Sequence, residues 1–448
     1  MKRDYIPQFY RSLVMGADTK IQLPKGRFVT AINFDNAATT PPLKSVLKEV
    51  NDFAPWYSSI HRGTGYKSQF SSHIYESSRN LILEFVNGDS SLYTVIYVKN
   101  TTEGINKIAY SVFNDYDVIL CSSMEHHSND LPWRKNNRIE YVEVDEVGRL
   151  KLDDLEGKLK RYKANKKLVA VSGASNVTGV INPLNIIGDL CYTYNSKLLV
   201  DGAQLVPHET VDINLPSSKG RIDFLVFSGH KMYAPFGTGI IIGRRDLFKE
   251  PPLITGGGAV DLVTHHYIKW TGLPGVEEAG TPNLMGVVAL SSAIKTLKSI
   301  SMKEIVNHEK ALTDYTLQRL SIIEGVELYG PKSDSSNRVA IIPFNIQGLP
   351  HEVTAKILSY EGGIAVRSGC FCAHPYVQRL LEIPTAEMER RIQYPHMPHP
   401  GMVRISFGFY NTHREVDQLT EMIHKIAENK GYYYNLYKDA EDLYFPSH

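Results

Sequence analysis

Between about residues 90 and 245, short runs of apolar residues alternate with helix-like segments. Residues 94–98 (TVIYV), 118–121 (VILC), 168–171 (LVAV), 198–200, 224–227 (FLVF) and 239–242 (GIII) predict strands. Residues 103–111 and 186–194 predict helices, the first with Thr101 or Thr102 near its N-cap. The strand runs are apolar at nearly every position instead of every second one. That pattern suits a mostly parallel sheet covered on both faces by helices. From about 284 to 325 the chain reads as helix, followed by strands at 339–343, 364–367 and 403–407 and helices at 349–359 and 415–430. These predict a smaller α+β lobe. The Pro- and His-rich stretch 393–401 (QYPHMPHPG) predicts a loop. The expected organisation is an N-terminal arm over 1–30 packing on the small domain, a large domain over 31–295, and a small C-terminal domain over 296–448.

The polar residues that follow the strand runs form a coherent set. They are Asn100-Thr101-Thr102, residues 122–127, residues 172–176, residues 201–204 and residues 228–231. In an open α/β sheet, ligands sit beyond the C-terminal ends of the strands. Lys231 follows one such run, where partial desolvation would lower its pKa and favour Schiff-base chemistry. Asp201 ends another, and a carboxylate beneath a pyridine nitrogen holds that nitrogen protonated, so that the ring withdraws electrons. Thr101, Thr102, Ser228 and His230 suit a phosphate, aided by backbone donors at a helix N-terminus. His126 suits stacking on a flat ring and proton movement. Asn176 and Gln204 suit a phenolic oxygen. Taken singly, each has a blander reading: most lysines are solvated, and loop amides commonly cap turns. Together they point to pyridoxal 5'-phosphate carried on Lys231.

Composition narrows the alternatives. With 448 residues, 42% of them apolar, the chain is long enough for two lobes. Its 49 basic and 48 acidic residues leave a formal charge of +1, a balance that gives no reason to expect nucleic acid or an anionic membrane as partner. No stretch has the length of a membrane span, and the start MKRDYIPQFYRSLV lacks the apolar segment of a signal peptide. Four cysteines do not make a disulfide framework. A soluble, cytoplasmic protein is the expectation.

The motifs resemble those of the class V aminotransferase family of pyridoxal-phosphate enzymes, in its cysteine desulfurase and selenocysteine lyase branch. The likeness runs from about residue 30 to the C-terminus. It is carried by FDNAATT at 34–40, HRG at 61–63, TTEGIN at 101–106, MEHHSN at 124–129, SNVTG at 175–179, DGAQ at 201–204, SGHK at 228–231, AGTPN at 279–283, RSGCFCAHP at 367–375, and VRIS with YNT over 403–412. Gly65 stands where that branch commonly has histidine, and Cys370-Phe371 where it commonly has His-His. The resemblance implies an α/β fold of the fold-type I pyridoxal-phosphate transferases. It also implies that Lys231 is the Schiff-base lysine, that Arg404, Arg367 and Asn36 bind substrate, and that Thr281 reaches the neighbouring site in a homodimer.

Cys372 matches the sulfur-accepting position of that branch. The implied reaction converts L-cysteine to L-alanine and leaves the sulfur on Cys372, with Lys231 or His126 moving the α-proton and a sulfur-acceptor protein as a possible partner. Cys370 leaves other readings open: a core thiol, a partner in a disulfide with Cys372, or a metal ligand. No second ligand pair lies nearby for a metal, and Cys121 and Cys191 suit buried positions. An aminotransferase, epimerase or lyase acting without a catalytic cysteine is the alternative within the family. A non-catalytic scaffold on the same fold is the alternative outside it.

Overall fold

The apolar runs of the first half assemble into one seven-stranded sheet. The structure is a computed structural model that describes residues 2–135, 137–332, 335–394, 396–397 and 399–440. In chain order the strands are β1 (Tyr93–Val98), β2 (Val118–Ser122), β3 (Arg138–Val142), β4 (Lys167–Ser172), β5 (Lys197–Asp201), β6 (Phe224–Ser228) and β7 (Gly239–Arg244). Across the sheet they lie in the order β1-β7-β6-β5-β4-β2-β3. All neighbouring pairs are parallel except those made by β7, which runs against both β1 and β6. Every residue of β2, β4 and β6 is buried, which accounts for their unbroken apolar sequence. Successive residues feed two separate cores: Leu120, Val169 and Leu225 pack on one face, and Ile119, Leu168 and Phe224 on the other. The predicted α/β class is the observed one.

A second sheet serves the C-terminal part. Its strands are β8 (Val326–Leu328), β9 (Ile341–Ile346), β10 (Arg367–Gly369) and β11 (Met402–Ser406), antiparallel in the order β8-β9-β11-β10. Helices Met302–Leu320, His351–Gly362 and His413–Glu428 enclose a third core containing Leu312, Phe344, Ile357, Ile405 and Leu419. The helix at 413–428 starts at a reciprocal cap. The Thr412 hydroxyl accepts from the Glu415 N–H while the Glu415 carboxylate accepts from the Thr412 N–H. The predicted helical stretch 284–325 is two helices, Leu284–Ile300 and Met302–Leu320, bent by 77° at Ser301, whose φ of 80° cannot continue a helix. The first packs in the large core through Val287, Leu290 and Ile294, and the second carries the chain into the small one. Of the predicted loop 393–401, Gln393 closes helix Thr385–Gln393, and Pro395 and Pro398 lie outside the described residues, as do residues 441–448.

The two sheets are stitched by the segment that starts at Ile32. Ile32–Asn33 pairs in parallel with Ile364–Ala365, and Asp35 bridges to Ser406 at the end of β11. Thr40 then reaches the large lobe, its N–H donating to the His230 carbonyl at 3.0 Å. Ahead of this, Tyr10 of the N-terminal helix packs edge-on against Phe409, and Arg11 pairs with Glu415 at 2.7 Å. No single helix among the described residues is long and apolar enough to cross a membrane.

One buried charge network fixes the segment before Thr281. Arg79 grips both carboxylate oxygens of Glu278 at 2.8 Å, with its guanidinium against the rings of Tyr75 and Tyr97. The same carboxylate accepts from the Tyr75 hydroxyl and the Tyr97 N–H. Beside it, Glu277 pairs with Lys107 at 2.9 Å, both buried. Removing one partner of such a pair strands the other charge out of water. Glu278→Ala is therefore expected to destabilise the fold by about 3–5 kcal/mol, read as a lower denaturation midpoint with an unchanged denaturant slope.

Candidate active site

The C-terminal ends of β1, β2, β4, β5 and β6, and the start of the reversed β7, meet at one edge. A cavity of about 270 Å³ opens there. Of the residues singled out from sequence, Thr101, Thr102, His126, Asn176, Asp201, Gln204, Ser228, His230, Lys231, Arg367, Cys372 and Arg404 all line it. Two do not. Asn36 is fully buried, its amide donating to the carbonyls of Asn33 and Ser406, so it holds the junction between the sheets. Thr281 is exposed and lies outside this cavity, three residues beyond the Glu278 anchor.

Lys231 ends the short turn Gly229–Lys231 that follows β6. Asp201 ends β5, the adjacent parallel strand, and is 4% exposed, with the Ala203 N–H donating to it at 2.9 Å. Burial pushes the Lys231 amine down to about 8 against the opposing pull of Asp201, and it pushes the Asp201 carboxyl up. An amine reacts only when neutral. In cofactor-free protein, labelling of Lys231 by an amine-directed reagent should therefore rise with pH through a midpoint near 8. Peptide mapping across a pH series measures it, and a midpoint near the ordinary lysine value would contradict the desolvated environment.

At the other end of the cavity, hydroxyls gather around the start of helix Thr101–Ser111. Asn100 caps it by accepting from the Glu103 N–H at 2.9 Å. The Thr101 N–H donates to the Ser228 hydroxyl at 2.8 Å, the hydroxyls of Thr101 and Ser228 lie 2.6 Å apart, and those of Thr102 and Ser128 lie 2.7 Å apart. Gly239 permits the packing, because a Cβ there would lie 2.5 Å from the Asn100 Cα. Hydroxyls and a helix N-terminus are anion-binding groups.

His126 sits between these ends. Its Nδ1 accepts from the Ser128 N–H at 3.1 Å, which places the ring proton on Nε2. Burial, reinforced by the Lys231 charge, pushes its pKa down to about 3, so the ring is neutral at ordinary pH. His126 thus offers a flat uncharged face to the cavity. Gln204 donates to the Ala37 carbonyl at 2.7 Å, while its own Oε1 is buried without a partner among the described residues. Beneath the site, the buried Glu125 accepts from the N–H and hydroxyl of Ser172 and from the Asn129 amide, and so holds the cavity wall.

The cysteine loop closes the cavity from the small lobe. Phe371 and Cys372 both have left-handed backbones, φ 52° and 53°, and the Ala373 N–H donates back to the Cys370 carbonyl at 2.9 Å. Such a tight bend is costly for residues with side chains, about 1–2 kcal/mol each. Contacts from the large lobe hold it. The Asn176 amide donates to the Phe371 carbonyl at 2.6 Å and the His127 N–H to the Cys372 carbonyl at 2.7 Å, and the Arg404 guanidinium lies 4.8 Å from the centre of the Phe371 ring. Cys372 is exposed at the cavity rim, whereas Cys370 is half-buried and donates to the Pro400 carbonyl. Burial pushes Cys370 up to about 11, so at neutral pH it is an unreactive thiol. All four cysteines are free, with Cys121 and Cys191 buried as expected.

Arg404 is buried on β11 and lines the cavity. Its guanidinium donates to the Asn176 carbonyl at 2.8 Å and to Asp35 at 3.1 Å. Asp35, Ser128 and Phe371 were given no site role from sequence. Asp35 lies in the FDNAATT motif beside Asn36, where the chain turns and the Ala38 N–H donates to the Asp35 carbonyl at 3.1 Å.

The lining can hold a pyridoxal-phosphate-sized group. A buried carboxylate, a lysine of lowered pKa, a neutral ring, an orphaned amide oxygen and a hydroxyl cradle are grouped around one cavity. Comparisons with known proteins give the family. The aminotransferase class-V family matches residues 32–419. A probable cysteine desulfurase of Halalkalibacterium halodurans is 34% identical over 413 residues, covering 90% of this chain and 94% of that protein. A cysteine desulfurase of Haloferax volcanii is 32% identical, covering 89% of each. Among solved structures, the apo cysteine desulfurase of Thermococcus onnurineus NA1 superposes with a TM-score of 0.79 at 31% identity, covering 89% of this chain and 95% of that one. With a family match across most of its length and relatives this similar, the chain belongs to the class V aminotransferases.

Proposed function

We propose that this protein is a pyridoxal-phosphate-dependent cysteine desulfurase, converting L-cysteine to L-alanine and taking the sulfur onto Cys372. The observation that carries the reading is the convergence of Lys231, Asp201, Arg404 and Cys372 on one cavity, from four separate segments of two lobes. Lys231 would anchor the cofactor, Asp201 would pair with its ring nitrogen, His126 and Gln204 would hold the ring, and the hydroxyls of Thr101, Thr102 and Ser228 would hold its phosphate. When bound, the cofactor supplies an electron sink for negative charge at the substrate's α-carbon.

The residues of the chain divide the remaining work. Arg404 takes the substrate carboxylate in a planar grip. The Lys231 amine would move the α-proton. The Cys372 thiolate attacks the substrate's sulfur. The new S–S bond forms as the C–S bond breaks, and the electron pair of that bond stays with carbon, which is later protonated to give alanine. Cys372 is left as a persulfide. Cys370 stays a thiol and supports the bend.

The same reading assigns Thr281 to the neighbouring cavity in a homodimer, supported by its exposed position on a strongly anchored segment. It also implies that an acceptor protein or small thiol collects the sulfur. The test is to incubate purified protein with L-cysteine and measure alanine and sulfide with a reducing thiol present. Equal yields of both are expected. Amino transfer to a keto acid with no alanine or sulfide from cysteine would replace the reading with a transaminase.

A further inference from the structure

Arg367 and Arg404 are cross-strand partners on β10 and β11. Two cations placed opposite one another repel, yet both line the cavity. Asp35 resolves the conflict from outside the lining. One carboxylate oxygen lies 3.1 Å from Arg404 and the other 3.8 Å from Arg367. The two guanidiniums differ in freedom: the Arg404 side chain is 4% exposed and that of Arg367 57%. Arg404 is further fixed by the Asn176 carbonyl and the Phe371 ring, and its Nε has no partner among the described residues.

With Lys231 engaged by the cofactor, the cluster of Arg367, Arg404 and Asp35 carries two guanidiniums and one carboxylate. They leave one unit of positive charge facing the cavity. That surplus matches one carboxylate of a small amino acid and is insufficient for two.

We propose that Asp35 is a specificity-determining positioning residue: it holds Arg367 and Arg404 together as a site for a single carboxylate, and so discriminates against acidic amino acids. The inference rests on the functional reading above, which gives Arg404 the substrate carboxylate. Asp35 acts through the arginines without touching substrate. Its role is one of charge count, because a neutral residue there would leave two uncompensated cations and a site able to accept a second carboxylate.

Propionate and succinate are suitable probes, titrated calorimetrically into the holoenzyme. In Asp35→Asn the affinity for succinate relative to propionate should rise about tenfold. Asp35→Glu should keep the original ratio, and Asp35→Asn combined with Arg367→Gln, which restores the charge count, should return to it. Asp35→Ser gives a second reading if the Asn variant does not fold. An unchanged ratio in the neutral variants, or a raised ratio in Asp35→Glu, would overturn the inference. Arg404→Gln separates the two levels. If it loses propionate binding while Asp35→Asn leaves the ratio unmoved, only the Asp35 role falls. If it binds propionate as well as the original protein does, the carboxylate role of Arg404 falls and the inference with it.

Discussion

Replacing Lys231 with alanine is expected to abolish both the visible absorbance of a lysine-linked cofactor and the release of alanine from L-cysteine, with a rate loss of about 10⁴-fold or more. The expectation follows from the two tasks that fall on one amine. Lys231 stands at the end of β6 next to the Asp201 strand, inside the cavity, with its pKa already brought down to about 8. No other lysine among the described residues lines the cavity to replace it. The fold should survive, because Lys231 makes no hydrogen bond among those of the described residues that hold the turn; that turn is kept by the His230 carbonyl, which accepts from Thr40 and from the hydroxyl of Thr39. Circular dichroism and the denaturation midpoint should be near those of the original protein. Full absorbance at the lysine-linked wavelength in Lys231→Ala would place the cofactor on another amine and defeat the assignment.

Cys372→Ser separates cofactor chemistry from sulfur chemistry. The variant should keep the absorbance of the lysine-linked cofactor, since Cys372 is at the exposed rim and its carbonyl bond to His127 uses the backbone. Sulfide release should fall by about 10³-fold or more, because a hydroxyl is a far poorer nucleophile than a thiolate towards sulfur. Cys370 cannot take over, being half-buried, bonded to the Pro400 carbonyl and pushed up to about 11. Unimpaired sulfide release by Cys372→Ser would sink the persulfide route while leaving the cofactor assignment intact. Alkylation followed by mass spectrometry of the original protein after one turnover should find the extra sulfur on Cys372.

Most of the large lobe was legible because its inner strands are buried on both faces and so carry unbroken apolar runs. Strand β3 escaped notice for the opposite reason. It is an edge strand, RIEYV, with only Val142 buried, and its mixed polarity hides it. Helix Tyr66–Phe85 was also unread, since its buried face is built largely of Ser68, Ser71, Ser78 and Arg79 instead of aliphatic residues. At the site, the groups that follow strands were legible from position alone, while those that depend on another segment were not. Asp35 matters because β10 and β11 bring two arginines to it. Phe371 matters because Arg404 lies over its ring. Neither fact has a local signature in the chain.

The left-handed pair at Phe371 and Cys372 has a further consequence. A long mobile loop could swing a sulfur atom from the interior out to a distant recipient. This thiol is on a short leash, pinned through the Phe371 carbonyl to Asn176 and through its own carbonyl to His127 on the opposite lobe. Under the proposed chemistry the cargo can be handed on only at the mouth of the cavity, so any recipient has to bring its own nucleophile to that doorway, past Arg367.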